Sequence, residues 1–455
     1  MLKTILLAAS TAGALMAFPA AAQDHSGHQG HDTPSPAPTP TPAPAQDHSM
    51  HQGHGTPPAE DPTGEEAGIG HPTPTRLTPP PASGSGTSRL PAAEGGMTGL
   101  HLNAGSWMVM AHGYAWASYT DQGGPRGDDM AFLQTMAMLT GEREFADGAR
   151  LRLQTMMSLE PAMGAPGYPN LFATGETANG FPLVDRQHPH DLFMELSARI
   201  DVPVGDGNTV FLYGGPVGEP ALGPSAFMHR RSARYLVQAP ITHHWFDSTH
   251  ITYGVVTAGF STRLFQIEAS AFRGREPDER RWNIETPSLD SWSVRATFNP
   301  SANWSMQVSH GRLKEPEAMH PGQDEARTTA SVHYADRRLS AGLAFSAKKR
   351  LPGGTLTAWL AEANWNPAGG HNLFGRLENV GNDELFPDHG HPLHDREYRV
   401  TRFEAGYAHR LRLTENVNLA LGGSVATYAK PAALDPYYGR SPFSYTLFAR
   451  FSLGD

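Results

Sequence analysis

From Ser106 onward the chain alternates with a period of two. Trp107, Val109, Ala111, Gly113, Ala115, Ala117 and Tyr119 fall on one face of the first segment, and Met108, Met110, His112, Tyr114, Trp116 and Ser118 on the other. The first face is small and apolar with an aromatic ring at each end. That is the pattern of a strand facing lipid, with its rings at the two membrane interfaces. The second face points inward and carries thioether and imidazole groups. The same period recurs downstream. Ala131, Leu133, Thr135, Ala137 and Leu139 oppose Met130, Phe132, Gln134, Met136, Met138 and Thr140, while Leu151, Leu153 and Thr155 oppose Arg152, Gln154 and Met156. Phe265, Ile267, Ala269 and Ala271 oppose Gln266, Glu268 and Ser270, and the final segment sets Phe443, Tyr445, Leu447, Ala449 and Phe451 against Ser444, Thr446, Arg450 and Ser452. Sixteen such segments can be read.

A soluble β-sandwich also alternates, and the connections separate the two folds. Long ones (Pro161–Pro189, Gly215–Ser248, Gly274–Ser288, Lys314–Asp324, Gly381–Arg396, Lys430–Ser441) are interleaved with short ones (Asp147-Gly148, Pro203–Gly207, Ser261-Thr262, Asn299–Asn303, Asp336-Arg337, Leu413–Asn416). This is the rhythm of a bacterial barrel with short periplasmic turns, longer outer loops and both termini in the periplasm. The pattern therefore predicts an all-β fold: an antiparallel transmembrane β-barrel of about 16 strands over residues 91–455.

Composition narrows this further. Only 39% of the 455 residues are hydrophobic, and no stretch after the N-terminus approaches the roughly 20 apolar residues of a spanning helix. A membrane-spanning chain of this kind must be a closed barrel, which satisfies every backbone group internally. The net charge of −10 and the lack of a basic stripe argue against nucleic acid. Cysteine is absent, which removes disulfides and thiolate sites.

The N-terminus has the form of an export signal over residues 1–22: Lys3, the apolar run Ile5–Phe18, and Ala20-Ala21-Ala22 before Gln23. Residues 23–90 are rich in Pro, Ala, Thr, Gly, Ser and His and are expected to be a disordered tail. Within the tail, Asp24–His31 recurs as Asp47–His54. The copies place His25, His28 and His31, then His48, His51 and His54, at spacings of three, and Met50 adds a thioether. A flexible chain can wrap three imidazoles round one ion, and these donors suit copper, with zinc or nickel as alternatives. A solvated linker with incidental histidines is the plainer reading.

The inner faces of the first three strands gather Met108, Met110, His112, Met136, Met138 and Met156. Strands lie about 5 Å apart, so these side chains can converge on a soft metal ion, or plug the barrel as adaptable packing. The long connections carry further histidines: His188 and His190; His243, His244 and His250, with His229 upstream; and His389, His391 and His394. With neighbouring aspartates these too suit metal ligation; polar packing between loops is the alternative. His243–His250 also contains Asp247 and Ser248, but no nucleophile elbow accompanies the serine, and the chain is not expected to be an enzyme. Inward Glu268, Arg376, Glu378, Arg402 and Glu404 are expected to pair in the lumen, and Gly215–Ser248 to fold in and narrow it.

An export signal, His/Met-bearing repeats, a Pro-rich linker and an outer-membrane barrel follow one another in this order. That order resembles copper-resistance protein B of bacterial copper-resistance systems, with the residue-level likeness in Asp24–His31 and Asp47–His54 and in the Met-rich inner face. The resemblance implies an outer-membrane barrel that binds and helps export or sequester copper or another transition metal. Its periplasmic tail would capture ions, its partners would include the barrel-assembly machinery and periplasmic metal-resistance proteins, and loop histidines would mark the far end of the route. The alternative is a general porin or small-solute channel with a metal-buffering tail.

Overall fold

The computed structural model describes residues 81–96 and 99–454. The export signal and the tail sites His25, His28, His31, His48, Met50, His51 and His54 lie outside the described residues. Alternating lipid-facing and lumen-facing side chains build sixteen antiparallel strands that close into a barrel. They are β1 (Trp107–Gln122), β2 (Asp129–Glu144), β3 (Arg150–Met157), β4 (Phe193–Pro203), β5 (Thr209–Gly218), β6 (Thr252–Ser261), β7 (Phe265–Phe272) and β8 (Ser291–Ser301). Then come β9 (Trp304–Leu313), β10 (Asp324–Ala335), β11 (Leu339–Leu351), β12 (Thr355–Trp365), β13 (His371–Asn382), β14 (Tyr398–Arg412), β15 (Val417–Ala429) and β16 (Phe443–Leu453). Closure is made by β16 on β1, from Leu453 opposite Gly113 to Ser444 opposite Gln122. Below that seam a short strand, Leu100–Ala104, covers the rest of the same β1 edge, so no stretch of it is left as an open template.

The outer face is the expected apolar belt. Phe265, Ile267, Trp292, Val294 and Leu447 are exposed, while their neighbours Gln266, Glu268, Arg295 and Thr446 are buried inside. The short turns fall at one end of the barrel. The long connections fall at the other, together with the tight turn at 352–354.

The lumen is filled. The connection between β5 and β6, residues 219–251, turns inward and is buried almost throughout. Its polar groups are matched to the wall, as desolvated polar groups must be. Arg230 Nε donates to Glu362 Oε1 on β12 at 2.6 Å, Thr242 N and Oγ1 to Glu378 Oε1 on β13 at 3.0 and 2.9 Å, and Gln238 Nε2 to Thr446 Oγ1 on β16 at 2.6 Å. The β3–β4 connection, residues 158–192, also enters, burying Tyr168, Leu171 and Phe172. Of the expected wall charges only Arg402 and Glu404 pair with each other; Glu268 pairs with Arg295, Arg376 with Glu362, and Glu378 accepts from Thr242 instead.

One boundary differs from the expectation. The tail was expected to run as a disordered segment to residue 90, but Ala82–Ser83 pairs with Arg89–Leu90 as a hairpin inside the barrel. Ser85 N donates to Ser225 Oγ of the inward connection at 2.9 Å, Thr87 bonds Glu268 of β7, and Ala93 N donates to Ala302 O in the β8–β9 turn at 2.8 Å. The segment has no core of its own. The polar lumen supplies the partners that order it.

Candidate functional site

Two sequence-distant loops bring their histidines together in the lumen. The β3–β4 connection contributes His188 and His190, and the β5–β6 connection contributes His243, His244 and His250. Ring centroids stand 5.4 Å apart for His190 and His250, 5.2 Å for His243 and His250, 5.3 Å for His243 and His244, and 6.4 Å for His188 and His244. His243 and His244 sit on one helical turn, His243–Phe246. These histidines were expected to mark the outer end of a route; they lie buried inside the barrel instead, because both loops fold inward.

Each ring spends its Nδ1 on an oxygen that can only accept. The partners are Pro189 O for His188 (3.0 Å), Glu160 Oε2 for His190 (2.9 Å), Asp247 Oδ1 for His243 (2.8 Å), Glu276 Oε1 for His244 (3.2 Å) and Asp247 O for His250 (2.7 Å). An oxygen acceptor at Nδ1 fixes a proton there, so in the neutral ring Nε2 is the ligand nitrogen, the arrangement that orients metal-binding histidines. Nε2 of His188 and of His250 is buried without a hydrogen-bond partner. Burial holds His188, His243 and His250 below the usual histidine range. At His190 and His244 burial also opposes the charged form, but the Glu160 and Glu276 carboxylates outweigh it, and His244 is raised to about 9. Burial pushes Glu176 up to about 7 against the opposing charge of Arg281.

The inner-face methionines also converge. Met110, Met136, Met138 and Met156 pack with Met194, Val217, Ile251 and Tyr253, and half-buried Met108 borders them. His112, Met138 and Met156 lie in one register row across β1, β2 and β3. A cavity of about 290 Å³ beside this row is lined by His112, His190, Met228 and His229.

The third histidine group stays apart. His391 stacks on Phe386 at 4.5 Å and bonds Tyr437 through Nε2 at 3.1 Å. His394 bonds Phe386 O through Nδ1 at 2.8 Å, and exposed His389 stands against its ring at 4.4 Å. Ser248 Oγ accepts from Arg327 Nη1 at 3.0 Å, while His243 Nδ1 pairs with Asp247 Oδ1 at 2.8 Å.

Among the described residues, two sets of three ligand-type side chains bring their donor atoms within 4.8 Å of one another. Glu317, His320 and Glu384 form one set, and Lys348 and Arg350 already supply its cations at 2.5 Å. Glu176, His188 and His244 form the other. Glu176, Glu160, Glu276 and Arg281 were not singled out from sequence. They lie on other parts of the long loops, and no local spacing joins them to a histidine.

The closed, lipid-belted barrel makes this an outer-membrane-type β-barrel of porin architecture with an occupied lumen. No family model matches the chain, and no curated protein matches it. Among solved structures it resembles OmpF of Salmonella typhi in complex with daunomycin, with TM-score 0.51 and 8% identity over 78% of this chain and 100% of that one. It is also similar to an anion-selective porin from Comamonas acidovorans, with TM-score 0.47 and 13% identity over 76% of this chain and all of the other. For OprB of Pseudomonas putida the TM-score is 0.48, at 9% identity over 76% of this chain and 94% of the other.

Proposed function

We propose that the protein is an outer-membrane channel, closed in the described state by its own loops, whose cargo is a transition-metal cation: copper, zinc or nickel. The barrel fold supports the channel. The metal reading rests on one observation, that a single cavity borders both His112 of the methionine row and His190 of the histidine cluster. Imidazoles from the row and from the cluster thus share one space with the Met228 thioether, inside a wall that lipid seals. In this reading the tail repeats face the periplasm and capture ions, the resemblance to copper-resistance protein B holds in function, and the protein is a carrier rather than an enzyme. Its partners are the bilayer, the barrel-assembly machinery and periplasmic metal-resistance proteins.

The porin-like fold favours a second reading, a general small-solute channel with a metal-buffering tail. Full-length protein in vesicles holding a metal indicator separates the two. Entry of copper or zinc well above empty vesicles, with little potassium chloride conductance, is expected. A large ohmic conductance indifferent to the metals would establish the porin instead.

A further inference from the structure

We propose that Glu176, His188 and His244 form a binding site for one borderline divalent cation of the zinc, copper(II) and nickel class, and that the ion ties the two inward loops together. This rests on the metal-handling reading above and names a particular site for it.

His188 Nε2 lies 3.0 Å from Glu176 Oε1. The His188 proton is committed to Nδ1 by the Pro189 carbonyl. Nε2 makes no hydrogen bond, so the contact brings together two electron-pair donors in a buried place. Such a pair is repulsive unless a proton or a cation sits between them, and a cation able to displace that shared proton gains both donors at once. The spacing is close to the about 3.4 Å between neighbouring ligand atoms of a tetrahedral ion bound at about 2.0–2.2 Å. His244 supplies the third donor, its Nδ1 held by Glu276 in the carboxylate–histidine pairing that backs metal ligands.

The loops are shaped to make this meeting. Gly175 has φ +110°, and a Cβ there would stand 2.7 Å from the His244 ring. Only glycine lets the backbone beside Glu176 lie against that imidazole. Arg281 takes the far oxygen, Glu176 Oε2, at 3.2 Å and Asp191 Oδ2 at 3.1 Å, which orients Oε1 toward His188. Once a metal displaces the second His244 proton, Glu176, Asp191 and Glu276 against Arg281 leave two negative charges, matching a divalent ion. The donors are one oxygen and two imidazole nitrogens with no sulfur, so borderline divalent ions are selected over copper(I).

The test uses the full-length protein with the six repeat histidines and His71 replaced by glutamine, titrated with zinc chloride by calorimetry in detergent. One strong equivalent is expected, weakened about 100-fold or more by His188→Ala or Glu176→Gln and about 10–100-fold by Glu276→Gln, which leaves all three ligands in place. Zinc should also protect loops 158–192 and 219–251 from protease together. Circular dichroism confirms that each variant keeps its barrel. An unchanged zinc affinity in folded His188→Ala or Glu176→Gln, or no strong equivalent in the parent, overturns the site. Strong binding that depends on these residues, without metal entry into vesicles, would keep the site and remove the channel reading.

Discussion

His188 and His244 belong to different loops, yet their ring centroids stand 6.4 Å apart, with planes inclined at 63°. Gly175 is the hinge of that meeting, since its conformation and missing Cβ let the first loop close on the second ring. Gly175→Ala should therefore cost about 1–3 kcal/mol from a strained backbone alone. Zinc affinity should fall while the far-ultraviolet spectrum of the barrel stays unchanged. A Gly175→Ala protein with parental melting temperature and zinc affinity would show that the loops have slack at this point.

Arg230 fastens the inward loop to the wall. Its guanidinium bonds Glu362 Oε1 at 2.6 Å and Asp247 Oδ2 at 3.1 Å, all of them buried. Arg230→Met leaves two buried carboxylates short of their partner, a loss of about 3–5 kcal/mol. The loop should loosen, so amide exchange across 219–251 and vesicle conductance should both rise. Adding Glu362→Gln should recover part of the loss, because it removes one of the stranded charges. Conductance as low in Arg230→Met as in the parent would mean that other contacts suffice to close the lumen.

The strands were legible in the sequence because lipid and lumen are opposite solvents, and Ile267 and Glu268 must point opposite ways. The methionine row was legible for the same reason, since a period of two places Met138 and Met156 on inner faces. The meeting of Glu176 with His244 was not. It depends on two loops folding inward and on one glycine conformation, and neither leaves a periodic trace. Residues 82–90 were misread because Ser, Gly and Thr bury little apolar surface. Their order comes from Ser225, Glu268 and Arg295, partners far away in sequence.

Glu219 makes the hairpin of residues 82–90 sensitive to pH. Its carboxyl is pushed up to about 8 by burial, against a stabilising hydrogen bond from Ser85, and a Cβ on Gly86 would lie 2.9 Å from its side chain. The folded state thus binds this proton more tightly than the unfolded chain, whose value is near 4.5. Its contribution to stability is fully present below that value and is lost as pH rises through about 8. Hydrogen exchange in residues 82–90 should be faster at about pH 9 than at about pH 6 after correction for intrinsic rates. Glu219→Gln should flatten the difference, and a difference that persists in that variant would place the sensitivity elsewhere.

The methionines can be tested for chemistry apart from packing. Met136, Met138, Met156 and Met194 are buried in one cluster, and leucine nearly conserves their volume, at under about 1.5 kcal/mol per site. Replacing Met108 and Met110 as well, a sixfold leucine variant removes the clustered thioethers of the inner face while keeping an apolar filling. If the row carries soft cations, copper(I) entry into vesicles should drop several-fold, while zinc affinity at the nitrogen and oxygen donors stays near parental. Folded leucine variants that pass copper(I) as the parent does would assign the methionines to packing alone, leaving the histidine cluster as the metal-bearing part of the lumen.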